Sequence, residues 1–145
     1  MRPLIEVFVP GWPRTKGSVE HKGGGRVSDT ELSIKWRQMM AYKFRQAYAD
    51  QPPAEGAIRV ELLAMLPVQA WEDLIRRGAQ GNGDIDKLLR NVFDALAQDL
   101  KKPHLAAAVY LDDAQVIDEC TSKRKAPVGA SGVHVRAWEV DLPHG

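Results

Sequence analysis

The chain has one cysteine, Cys120, in 145 residues, which rules out an intramolecular disulfide and any cysteine-rich zinc site. No apolar run approaches the roughly 20 residues that span a bilayer, so no membrane partner is expected. The opening "MRPLIEVFVPGWP" has a short apolar part, broken by Pro10 and Pro13, and does not read as a secretory signal. A cytoplasmic protein is the expectation. A P-loop pattern, G-x-x-x-x-G-K-[ST], is also missing, which argues against nucleotide hydrolysis. His21, His104, His134 and His144 lack any close metal-ligand spacing, and Cys120 has no neighbour in the sequence that would activate it as a nucleophile. Internal repeats and separable linkers are absent too. What is present is ordinary for a folded chain, 44% hydrophobic and 27% charged, and the length suits one domain over residues 1–145.

The net charge of +1 carries no global nucleic-acid signal, but the charges are unevenly placed. Residues 1–50 hold nine Lys/Arg against five acids, and Lys123, Arg124, Lys125 and Arg136 fall in an acid-free stretch between Thr121 and Trp138. The acids concentrate over 84–119. Basic flanks around an acidic centre fit solvated surface, and they also fit a phosphate-binding surface around a metal site.

Hydrophobic patterning predicts a strand over 4–9, then a polar, glycine-rich loop over 13–28. Ser28-Asp29-Thr30-Glu31 has the S-x-x-E form of a capping box, and Leu32, Trp36, Met39, Met40, Phe44 and Ala47 follow at helical spacing to about Tyr48. A second strand is expected over 57–67. Residues 68–83 are ambiguous, with room for a helical turn. The strongest pattern is a helix over 84–100, with Ile85, Leu88, Leu89, Val92, Phe93, Leu96 and Leu100 on one face. Asp86, Arg90 and Asp94 line the edge of the other face, beside Lys87 and Asn91. Strands over 106–112 and 114–125, joined at Asp112-Asp113, and a final strand over 132–141 complete the order. The fold class is α+β: a small mixed sheet of about four to five strands packed with two main helices.

Two acidic motifs stand out, "GDIDKLLRNVFDAL" and "YLDDAQV". Asp84 and Asp86 lie at the first turn of the long helix, where one acid serves as a cap and complements the helix dipole. A helix needs only one such cap, so the second acid is surplus. Asp112 and Asp113 suit a turn between strands, and because neighbouring strand residues point to opposite faces only one of them can join a given cluster. If that turn packs beside the start of the helix, three carboxylates converge into the hard oxygen set that Mg²⁺ or Mn²⁺ prefers. The connection "AQDLKKPHLAAAVY" between the motifs is longer than a compact one requires.

Together and in this order, the two motifs resemble the signature of the RusA-type Holliday-junction resolvases, small dimeric endonucleases common in bacteria and their prophages. The opening strand ending in "PGWPRTKG", the first helix and the second strand ending at Pro67 occupy similar places. The resemblance implies a RusA-like fold and a metal-dependent endodeoxyribonuclease that resolves four-way or branched DNA by paired symmetric nicks, in recombination and repair. It implies a homodimer using Mg²⁺, with Mn²⁺ as a substitute. The family's metal-binding acids fall on Asp84, Asp86 and Asp113; Asp94 matches a further acid of the helix pattern. Where the family's best-known member has Asn and then Lys, this chain has Lys87 and Arg90. Arg90 can stabilise transition-state charge but cannot give up a proton, a task that would fall to Lys87. Arg14, Lys16, Lys22 and Arg26 suit contacts to the DNA backbone. Two other readings stand beside this one: a junction-binding protein without catalysis, and a different Mg²⁺-dependent phosphotransfer enzyme.

Overall fold

Along Ala57–Leu66, residues Ile58, Val60, Leu62, Ala64 and Leu66 are buried, while Arg59, Glu61, Leu63 and Met65 alternate with them on the more open side. A period of two with one covered face is the mark of a strand whose sheet carries helices on one side. Gly132–Val140 repeats it, burying Val133, Val135 and Ala137 and exposing His134 and Arg136. The structure is a computed structural model that describes residues 2–15, 27–77 and 84–142, with side chains for all of these except 27–30 and 73–77.

In chain order the elements are β1 (Ile5–Pro10), α1 (Val27–Tyr48), β2 (Ala57–Leu66), α2 (Val68–Arg77), α3 (Ile85–Leu96), β3 (Val116–Lys125) and β4 (Gly132–Val140). They form one four-stranded sheet in the order β1-β4-β2-β3. β4 is antiparallel to both neighbours, with Val7 opposite Val135 and Leu62 opposite Val135 from the other side. β3 runs parallel to β2, which requires a long crossover, and α2 and α3 provide it. The mixed α+β architecture read from the sequence is what the chain adopts, with three helices in place of two main ones.

α1 and α3 pack on each other and on one face of the sheet. Trp36, Met40, Phe44 and Tyr48 of α1 meet Leu88, Val92 and Leu96 of α3 over Val9, Ile58, Val60, Val133 and Val135. Each fully buried large side chain here contributes about 1.5–3 kcal/mol. The opposite face of the sheet carries a hollow of about 500 Å³ lined by Phe8, Glu61, Leu63, Cys120, His134 and Arg136 among others, with the Phe8 and His134 rings 4.5 Å apart.

Several sequence expectations shift. The predicted capping box at Ser28 falls inside a helix that begins at Val27, and its side chains through Thr30 lie outside the described residues, as does most of the 13–28 loop. Leu32 and Met39 are exposed at 39% and 44%, because the buried stripe of α1 runs through residues 36, 40, 44 and 48, away from both. The ambiguous 68–83 segment opens with a true helix, α2. The long helix ends at Leu96, leaving Leu100 84% exposed. The expected strand over 106–112 is an extended segment that doubles back along the end of α3. Its Ala107 and Val109 N–H groups donate to the Ala95 and Leu96 carbonyls at 2.7 and 2.8 Å, satisfying acceptors that a helix C-terminus leaves orphaned. Asn91, expected on the exposed side of α3, is only 2% exposed.

Candidate active site

Asp84 is the N-cap of α3, its carboxylate accepting the Asp86 N–H at 3.0 Å. Asp86 in the first turn is exposed, and it enters the cap through its backbone N–H and not through its carboxylate. Arg90, one turn further on, is also exposed, and Lys87 is half-buried. The Asp86–Arg90 ion pair that their spacing allows does not form among the described residues. Among the described residues the Asp86 and Arg90 side chains have no partner, which leaves an acid and a cation on one exposed helix edge open to a ligand.

The second motif is built differently. Asp112 caps the short 3₁₀ turn Asp113–Gln115, accepting the Ala114 N–H at 2.8 Å. Gln115 uses its whole hydrogen-bonding capacity. Its oxygen accepts from the Leu111 and Asp112 N–H groups at 2.8 and 2.9 Å, while its nitrogen donates to the Ala54 and Gly56 carbonyls at 2.9 and 2.8 Å. The aspartate turn is thereby tied to the entry of β2. Asp113 Oδ1 accepts a long hydrogen bond, 3.2 Å, from the phenol of Tyr110, which is fully buried. Burial, and after it the Asp113 carboxylate, pushes the Tyr110 phenol far above its ordinary value, so it stays protonated and donates.

Asp113, Asp112, Asp94 and Asp99 line a polar cleft of about 250 Å³ together with Arg37. Arg37 reaches from α1 to donate to the Leu105 carbonyl (2.7 Å), the Asp94 carbonyl (3.1 Å) and Asp99 Oδ2 (3.0 Å). Arg45, two turns on, donates to the Ala106 carbonyl at 2.9 Å. These two arginines explain how the long 97–110 connection is held in place. The Lys102 N–H, and next the Arg37 guanidinium, hold the Asp99 carboxyl below its ordinary value.

The two acidic sets therefore stand at opposite ends of α3. Asp113 shares a cleft with Asp94, which lies eight residues beyond Asp86 and so about 12 Å further along the helix. Among the described residues no three His, Cys, Asp or Glu side chains are grouped so as to hold a metal ion. The expected convergence of Asp84, Asp86 and Asp113 does not occur within one chain. The cause is the path of 97–110, whose bonds to the last carbonyls of α3 deliver Asp113 to that end. As placed in a single chain, these carboxylates do not fit a divalent cation.

Of the basic residues expected to meet DNA, Arg14 is described: its guanidinium lies over the Trp12 ring, 4.6 Å from the centroid. Lys16, Lys22 and Arg26 lie outside the described residues. Among the described residues no helix is long and apolar enough to cross a membrane.

The family model for Endodeoxyribonuclease RusA matches residues 10–136, a span that contains both acidic motifs. The chain belongs to the RusA family. No curated protein matches it. RusA membership implies Holliday-junction resolvase activity, and the family acts on branched DNA junctions and is generally dependent on a divalent metal. Residues that this RusA chain uses, and that the motif reading passed over, are Gln115, Tyr110, Arg37 and Asn91. Gln115 had a legible signal, since Asp112-x-x-Gln115 is itself a capping-box pattern. Asn91 had one too: it shares a helix face with Leu88, Val92 and Ala95. Arg37 and Tyr110 offered none, because their partners are distant in sequence or set by the fold.

Proposed function

We propose that the protein is a Mg²⁺-dependent endodeoxyribonuclease that resolves four-way and branched DNA by paired symmetric nicks, working as a homodimer in the cytoplasm in recombination and repair, host or prophage. The observation that carries this reading is a RusA match spanning both acidic motifs, combined with an exposed Asp86 and Arg90 that no described residue engages. Asp84, Asp86 and Asp113 are the proposed metal-binding acids. Arg90 or Lys87 offsets negative charge at the phosphate under attack, and Arg14, Lys16, Lys22 and Arg26 contact the DNA backbone. A four-way junction is close to two-fold symmetric and needs two matched cuts, which a C₂ dimer supplies economically. The dimer also answers the separation of the acids, because the helix start of one copy can meet Asp113 of the other where one chain cannot bring them together.

The test is a labelled synthetic four-way junction incubated with Mg²⁺, Mn²⁺ or EDTA. Symmetric nicks with either metal, none with EDTA and none from Asp86→Asn support the proposal. The separation of the acids within a chain favours a second reading, a junction binder without catalysis. Tight junction binding with no nick under any metal selects it. Activity on nucleotides but not on junctions would select a different phosphotransfer enzyme.

A further inference from the structure

Asn91 is 2% exposed on the buried face of α3, with Leu88, Val92 and Ala95, and faces Ser33 of α1. An apolar side chain would be at home there, and a buried amide costs stability unless its N–H groups are satisfied. Both are, and both bonds lead toward one place. Asn91 Nδ2 donates to the Arg14 carbonyl at 3.1 Å and to Ser33 Oγ at 3.3 Å; Ser33, 6% exposed, donates in turn to the Thr15 carbonyl at 2.8 Å. The amide orientation follows from these contacts, since a flipped Asn would set its oxygen against the Arg14 carbonyl oxygen. Among the described residues neither side chain bonds to a backbone group of α1 or α3. What their burial secures is the chain just after β1.

That stretch is held at further points. Gly11 adopts φ +137°, and a side chain on it would strike the Trp36 ring at 2.8 Å. Its N–H donates to the Ser131 carbonyl at 3.1 Å, and Pro13 is buried. Arg14 leaves this anchored root with its guanidinium laid on Trp12.

We propose that Asn91 and Ser33 are positioning residues that lock the backbone of Arg14 and Thr15 to α3, so that Arg14 is a preset phosphate contact in fixed register with the helix bearing Asp84 and Asp86. The functional half rests on the nuclease reading above. Arg14 then differs from a cation on an adaptable arm: it aligns the strand to be cut as well as adding attraction for DNA.

The experiment compares wild type with Ser33→Ala, Asn91→Leu and the conservative Ser33→Thr, each first checked for a cooperative melt. Native trypsin digestion, read by mass spectrometry, follows cleavage of the Arg14–Thr15 bond, whose carbonyl Asn91 holds. Junction affinity and single-turnover cutting at saturating junction are then measured. Cleavage at Arg14–Thr15 should rise about tenfold or more in Ser33→Ala and Asn91→Leu. Cutting should fall at least about tenfold while affinity changes by less than about threefold, as expected when reacting groups are misaligned and charge is kept. Ser33→Thr should restore both. Arg14→Ala should add little to Asn91→Leu, because the two act as one unit. Unchanged tryptic cleavage, a cutting loss that merely tracks the folded fraction, or additive effects of Arg14→Ala and Asn91→Leu would overturn the proposal. If Asn91→Leu does not fold, Ser33→Ala alone decides. A wild type that binds junctions but never cuts them counts against the nuclease reading. The tryptic comparison still decides the lock in that case.

Discussion

The two aspartates of the first motif look alike in sequence and have separate tasks in the fold. Asp84 spends its carboxylate on the Asp86 N–H, whereas the Asp86 carboxylate plays no part in the cap. Asp84→Ala should therefore cost about 1 kcal/mol, while Asp84→Asn, which still caps, should cost little. Asp86→Asn should leave stability within about 0.5 kcal/mol of wild type and yet abolish cutting. Chemical denaturation paired with the junction assay separates these outcomes. Asp99 gives a pH signature. Because the Lys102 N–H and Arg37 hold its folded-state carboxyl below the ordinary value of 3.8, its ionised form favours the fold. Its contribution is present at neutral pH and is lost as pH falls past that value and through the lower folded-state one. Melting temperature followed into acid should drop less steeply for Asp99→Asn than for wild type.

Among the elements, those that rest on periodicity were legible and those that rest on a connection were not. β2, β4 and the core stripes of α1 and α3 follow from alternation and helical spacing, because burial itself imposes those periods. The 106–112 segment is apolar enough to read as a strand, but its donors find helix carbonyls first, and no local pattern announces a partner in another element. The acid motifs were visible as motifs, and Asp84 as a cap; the distance between them was not, since it depends on the path of a connection held by Arg37 and Arg45 from α1. Gln115 holds the other end of that connection. Gln115→Leu strips four hydrogen bonds at once and should destabilise the fold by about 2–3 kcal/mol. The Asp112-Asp113 turn should loosen with it, measurable as faster amide exchange at Leu111 and Asp112. Unchanged protection there would show that the turn stands without its brace.

For the whole molecule, the separation of the acids along α3 makes a sharp prediction about subunits. If the proposed homodimer forms, its Asp86→Asn and Asp113→Asn versions should each be inactive. Mixed and allowed to exchange, they should form heterodimers in which one of the two sites regains every wild-type acid. Such heterodimers should nick a junction on one strand and fail to make the paired cut. If each chain instead assembles its own site, mixing restores nothing, and denaturing gels resolve the two cases.

The lone thiol of Cys120 is exposed in the hollow on the face of the sheet opposite α1 and α3, with the strands between it and α3. A maleimide dye therefore attaches at a single known address, on the far side of the sheet from Asp84, Asp86 and the Arg14 root. The native chain can thus be tagged for single-molecule work on junctions without first removing or adding a residue.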